Sequence, residues 1–168
     1  MVPQAIRPAD LDETPLPAEL PHKLAERLCA LKAEAMASPE ALVLAADTVV
    51  GVGRRILGKP ADAAEARAFL TMLSGRRHRV HTGVALAVPG QKLRTRLVTS
   101  VVAFQRLTTA QIEAYLDGAE WQGKAGGYAI QGRFEAHVLW MEGSFSGIMG
   151  LPLADAGAML ITAGLGHG

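Results

Sequence analysis

The chain has 168 residues, 49% of them hydrophobic and 20% charged, which is enough for one domain with a sizeable core and unlike a disordered segment. A net charge of +1 with both signs interspersed gives no electrostatic footprint for nucleic acid or a membrane surface, and no apolar run nears the ~20 residues of a membrane span. The single cysteine, Cys29, excludes an internal disulfide and a cysteine-built zinc cluster, and it fits a reducing cytoplasm.

Residues 1–17 are proline-rich and irregular, resembling neither a signal nor a transit peptide. Leu20, Leu24, Leu28, Leu31 and Ala35 recur at three- and four-residue steps, so a helix is expected over 18–37, stopped by Ser38-Pro39. The apolar run 41–52 predicts a buried strand, followed by a turn at 53–55 and a short return strand over Arg55–Leu57. Asp62 to Glu65 forms a cap-like start for a helix with Ala66, Phe69, Leu70 and Leu73 on one face, ending near Ser74-Gly75.

Two long strands are expected over 78–88 and 93–105, then a short helix from Thr108 to Gly118. A glycine-rich loop spans 121–133, a strand 136–141, a further loop 142–150 and a last helix 152–163. Strands alternate with helices but hairpins occur too. The expected class is therefore α/β or α+β, one domain over 1–168 with a mixed sheet.

Asp47 is the sharpest local feature. A carboxylate in an apolar strand costs several kcal/mol unless paired, hydrogen-bonded or metal-bound. The ordinary alternative is a strand-end acid facing solvent. Lys59, between Gly58 and Pro60, would by itself be a solvated lysine. An acid on one strand and a cation at the end of its hairpin partner can nevertheless face one cleft, and phosphoryl chemistry needs both. Residues 123–132 hold four glycines, with Lys124 and Gln131 among them, yet match neither a P-loop nor a dinucleotide fingerprint. The acidic run "DLDET" at 10–14 suits a helix start, and Lys32 suits a lysine snorkelling beside the first helix's apolar stripe. The histidines at 22, 78, 81, 137 and 167 form no ligand pair; His78 and His81, three apart in a strand, face opposite sides. No nucleophile elbow surrounds Ser144 or Ser146, which argues against a serine hydrolase.

Four segments, "ADT" at 46–48, "GKP" at 58–60, "SGRRHRVHTGVA" at 74–85 and "KAGGYAIQG" at 124–132, stand in an order and spacing that resemble the Maf family of nucleotide pyrophosphatases. The likeness runs from about residue 8 to 160, with "DLDET" and "GLPL" adding to it. It implies a twisted mixed sheet flanked by helices, as in the inosine-triphosphatase-like fold. It further implies the branch acting on dTTP and UTP, which cleaves the triphosphate to a monophosphate and pyrophosphate with a divalent metal, magnesium or manganese. Modified pyrimidine nucleotides are further candidate substrates.

Residue by residue, the resemblance makes Asp47 the general base and Thr48 and Gln131 base-selecting positions. Glu13, Lys32 and Lys59 become polar residues lining the cleft. Glu13 and Asp47 are then natural oxygen ligands for the metal, and Lys32 and Lys59 neutralise phosphate charge. A homodimer is also implied. Family members open with an apolar strand and an S-x-S-P-R-R motif before the acidic segment. Neither occurs in the residues before Glu13, so the expectation is a sheet lacking that strand, with an exposed edge. The alternative function is a catalytically impaired nucleotide-binding relative.

Overall fold

The structure is a computed structural model, described over residues 3–165; His167 lies outside the described residues. Helix α1 (Pro21–Ala35) is followed by the hairpin β1 (Val43–Val52) and β2 (Arg55–Leu57). Helix α2 (Ala63–Leu73) leads to the long hairpin β3 (Arg77–Ala87) and β4 (Arg94–Phe104). Then come α3 (Thr109–Leu116), β5 (Val138–Glu142), α4 (Phe145–Met149) and α5 (Leu153–Thr162).

The five strands form one sheet in the order β2-β1-β3-β4-β5. The expected class, a sheet flanked by helices, is present. The expected mixture of strand directions is not: every described pairing is antiparallel. The reason lies in the connections. The turns of a few residues after β1 and β3 can only return antiparallel strands, and α2 and α3 do not carry the chain between parallel neighbours.

Strand alternation gives the sheet two faces. Asp47, Gly83 and Ala85 lie on the face covered by α1, while Thr48, Val80, Thr82 and Val84 lie on the other. The first face is packed unusually close. A Cβ on Gly83 would stand 2.3 Å from the Ala25 carbonyl oxygen and 2.7 Å from Cys29 Sγ, so only glycine lets the helix approach. This corrects the expected helix stripe. Leu24, Ala25, Leu28, Cys29 and Ala33 are buried, whereas Leu31 and Ala35 are exposed, because small side chains meet the sheet. The second face carries the main core, in which α2, α3 and the glycine-rich loop close over Leu70, Phe104 and Phe134, all fully or almost fully buried. Each such side chain contributes ~2–3 kcal/mol of burial.

Caps match the sequence where they were expected. Asp62 accepts the Glu65 amide at the start of α2, and Thr108 and Gln111 form a full capping box on α3. Segment 142–150 departs from its expected loop: it contains α4, with Ser144 accepting the Gly147 amide as N-cap and Gly150 (φ 128°) closing the helix. Strand β2 pairs only with Val50, Gly51 and Val52, so residues 43–49 of β1 have an unpaired outer edge among the described residues. Among those residues, no helix is long and apolar enough to cross a membrane.

Candidate active site

The open edge of β1 lets both its faces reach one cleft of about 270 Å³. Lys32, Asp47, Thr48, Lys59, Lys124 and Gln131 line it, together with Ile148 and Met149 of α4 and Gly150 just after it. Five of the six candidate residues thus meet at the cleft, and Glu13 joins through its ion pairs. A larger hollow of about 370 Å³, between the end of α1 and the β3–β4 turn, offers Glu34 as its one ionisable lining residue among the described residues. Its lining has no convergent charge, so the chemistry selects the smaller cleft.

Four charges form an alternating chain along the cleft. Lys59 Nζ donates to Glu13 Oε2 at 3.1 Å, and Lys32 Nζ lies 2.6 Å from Glu13 Oε1. Lys32 also donates to Asp47 Oδ1 in a short contact. Lys32 therefore does not snorkel to solvent: its side chain is only 16% exposed and its head is held between two carboxylates. Nor does the acidic run serve a helix dipole, since α1 begins only at Pro21. Arg27 holds that run instead, forking onto Glu19 and donating to the Thr14 carbonyl, while Asp12 accepts the Thr14 amide. These bonds fix the backbone on either side of Glu13.

The electrostatics follow from depth. Asp47 has 9% of its side chain exposed, and burial raises its pKa. The Lys32 ammonium opposes this, but it is shared with Glu13, whose own carboxylate pushes Asp47 upward again. Glu13 is more open. Its partial burial is outweighed by Lys32 and Lys59, which together hold its pKa down. For Lys32, burial acts downward, but the two carboxylates prevail and raise its pKa, keeping it charged. One carboxylate is thus tuned toward accepting a proton and the other toward staying ionised.

Two loops close the cleft's sides. The Gly126 amide donates to the Gly58 carbonyl at 2.9 Å, tying the glycine-rich loop to the turn that carries Lys59. Gly126 (φ 71°) also rides on Val50, where a Cβ would stand 3.0 Å from Cγ1. Tyr128 anchors the same loop through its hydroxyl, 2.8 Å from His78 Nε2, and Tyr115 Oη accepts the Ala129 amide at 3.0 Å. Gln131 is exposed at the loop's end. Thr48 Oγ1 lies 2.9 Å from Thr82 Oγ1, and the Thr82 hydroxyl donates to the Gly147 carbonyl at 2.7 Å.

Sequence reasoning missed Thr82, His78 and the α4 residues. The "HRVHT" alternation carried a signal for the first two, since it puts His78 and Thr82 on the face that Thr48 shares. Ser144 and Gly150 were the start and stop signals for the third.

Among the described residues no group of three or more histidine, cysteine, aspartate or glutamate side chains converges on a metal site. Glu13 and Asp47 are two hard carboxylates joined to one lysine. That donor set suits magnesium or manganese, which take one or two protein carboxylates and complete their shell with water and phosphate oxygens.

A family profile described as "Maf-like protein" matches residues 1–163. Three relatives named "dTTP/UTP pyrophosphatase" are similar over nearly the whole chain. The one from Rhodospirillum rubrum is 56% identical over 169 residues, covering 99% of this chain and 80% of its own. The one from Cereibacter sphaeroides is 53% identical (98% and 86%), and that from Roseobacter denitrificans is 50% identical (98% and 87%). With a matching profile and such identities over this coverage, the chain belongs to the Maf-like protein family.

Proposed function

We propose that this chain is a nucleoside triphosphate pyrophosphatase that hydrolyses dTTP and UTP to the monophosphate and pyrophosphate. The observation that carries this reading is the alternating chain Lys59–Glu13–Lys32–Asp47 on a cleft that also holds Thr48 and Gln131. The names of the relatives support the substrates.

Asp47 is the base. Its Oδ1 is engaged by Lys32, which orients the carboxylate and leaves Oδ2 to receive the proton of the attacking water. A carboxylate whose pKa burial has raised is a better proton acceptor than an exposed one. Lys32 and Lys59 take the phosphate oxygens, and their pre-set positions lower the cost of gathering charge in the transition state. Glu13 holds both ammonium groups in place before substrate arrives. Thr48 and Gln131 read the pyrimidine edge. Glu13 and Asp47 would hold a divalent cation, magnesium or manganese, which supplies charge neutralisation on the triphosphate when bound.

A cytoplasmic homodimer is part of the same proposal, and the sheet supports the pairing: β5 ends it with Leu139 69% and Trp140 43% exposed, apolar area of the kind a second copy covers. The test is pyrophosphate release from dTTP and UTP by the wild type and by Asp47→Asn, with magnesium or manganese and after chelation. Loss in the variant and after chelation is expected. Equal rates in both proteins would remove Asp47 from its role, and binding of dTTP with no turnover would favour an impaired nucleotide-binding protein.

A further inference from the structure

Three hydroxyl and carbonyl groups behind the cleft fix where one proton lies. Thr82 sits opposite Thr48 across the β1–β3 pairing and is 1% exposed. A hydroxyl has a single hydrogen. Thr82 spends its hydrogen on the Gly147 carbonyl, a group that can only accept, at 2.7 Å. The 2.9 Å contact between the two threonines is therefore a bond in which Thr48 donates and Thr82 accepts. With its hydrogen directed backward, Thr48 shows the cleft lone pairs only. Gly147 in turn is set by α4, whose Gly150 amide donates to the same carbonyl at 3.0 Å.

We infer that Thr82 is a positioning residue for substrate choice: it locks Thr48 as a hydrogen-bond acceptor, and the cleft thereby selects bases that present a ring N–H. The inference rests on the proposed action on pyrimidine nucleotides. Uracil and thymine have one donor on their pairing edge, the N3–H, flanked by two carbonyls. An acceptor-only Thr48 can bond that edge only at N3. Cytosine carries a lone pair at N3 and its pairing-edge donor on the 4-amino group, so in the position that suits uracil it turns a lone pair to Thr48, and it can satisfy Thr48 only by shifting along its edge. Gln131 cannot enforce this choice, because an exposed amide can turn either its oxygen or its nitrogen to the base. The hydroxyl pair cannot turn while Thr82 stays committed to Gly147. A polar group left facing a like group in a desolvated site typically costs a factor of ten to a hundred in affinity, roughly.

The experiment is calorimetric binding of the α,β-methylene analogues of UTP, CTP and N3-methyl-UTP, run beside pyrophosphate release from UTP and CTP. The wild type should bind the UTP analogue about ten- to a hundredfold tighter than the other two. Thr82→Val removes the acceptor behind Thr48 at nearly constant volume, frees the Thr48 hydrogen to turn to the cleft, and should narrow the UTP-to-CTP ratio to within a few-fold, an estimate from the same hydrogen-bond costs. Thr82→Ser keeps the hydroxyl and should restore the ratio. A role in folding alone would lower both affinities together and leave their ratio unchanged. Equal wild-type binding of UTP and N3-methyl-UTP analogues overturns the inference without needing any variant, as does a full ratio in a folded Thr82→Val. An intact binding preference with no pyrophosphate released supports the inference and sinks only the activity; no binding of any analogue overturns both.

Discussion

His78 should make this protein sensitive to mild acid, and the size of the effect can be worked from its surroundings. The ring is 3% exposed, with Phe104 edge-on at 4.6 Å and the Tyr128 hydroxyl 2.8 Å from Nε2. Its Nδ1 has no partner among the described residues. Burial pushes its pKa down from 6.5 to about 4. Between these values the unfolded chain binds a proton that the folded chain refuses, so stability is fully present above pH ~6.5 and is lost as pH falls toward ~4. At ~1.4 kcal/mol per pH unit, that window is worth about 3 kcal/mol. His81, also pushed down to about 4 by burial, with His22 and Arg79 adding, acts in the same direction. In His78→Phe the Tyr128 hydroxyl loses its partner, costing ~1 kcal/mol at neutral pH, but one proton is removed from the linkage. Urea unfolding followed by tryptophan fluorescence from pH 7.5 to 4 should therefore show the two stability curves converging, then crossing, as pH falls. Parallel curves would refute the buried-neutral assignment.

Other substitutions probe the fold and the charge chain separately. Lys32→Met leaves Asp47 buried without its ammonium; unfolding free energy should drop by about 2–4 kcal/mol, and dTTP turnover by roughly a hundredfold or more. Unchanged turnover would show that the lysine only fills space. Lys59, with 57% of its side chain exposed, should behave differently: Lys59→Ala should leave the thermal midpoint in place while kcat/KM falls about tenfold. Gly83→Ala would drive a methyl group into the Ala25 carbonyl; a loss of about 3 kcal/mol and a fall of ~6–12 °C in Tm are expected, with no change in Tm contradicting the close approach of α1.

The sequence made the local elements legible where one residue type dominates the energetics. Asp62 announces α2 because a short acidic side chain accepts the Glu65 amide, and the apolar runs around Val50 and Val84 can only be strands in a core. The charged half of the site could be named as residues but not as an arrangement. Lys32 reads as a surface lysine until α1 is known to lie against Gly83, which brings its head group to Asp47. Asp47 and Thr48 point to opposite faces and still serve one cleft, because β2 is too short to cover the edge between those faces. No local pattern encodes that. Thr82 was invisible for a related reason. Its importance comes from two partners, at positions 48 and 147, that only the sheet register brings together. The sheet's direction was misjudged because alternating helices and strands suggest crossovers, whereas α2 joins strands that flank β1 on opposite sides and run the same way without pairing.

The most direct single test is product identity from dTTP. Phosphorus NMR of a reaction with the wild-type chain and magnesium should show dTMP and pyrophosphate rising in equal amounts, with Asp47→Asn silent under the same conditions. Release of inorganic phosphate with dTDP, or equal pyrophosphate from the variant, would contradict a cleft in which Asp47 delivers water to the triphosphate.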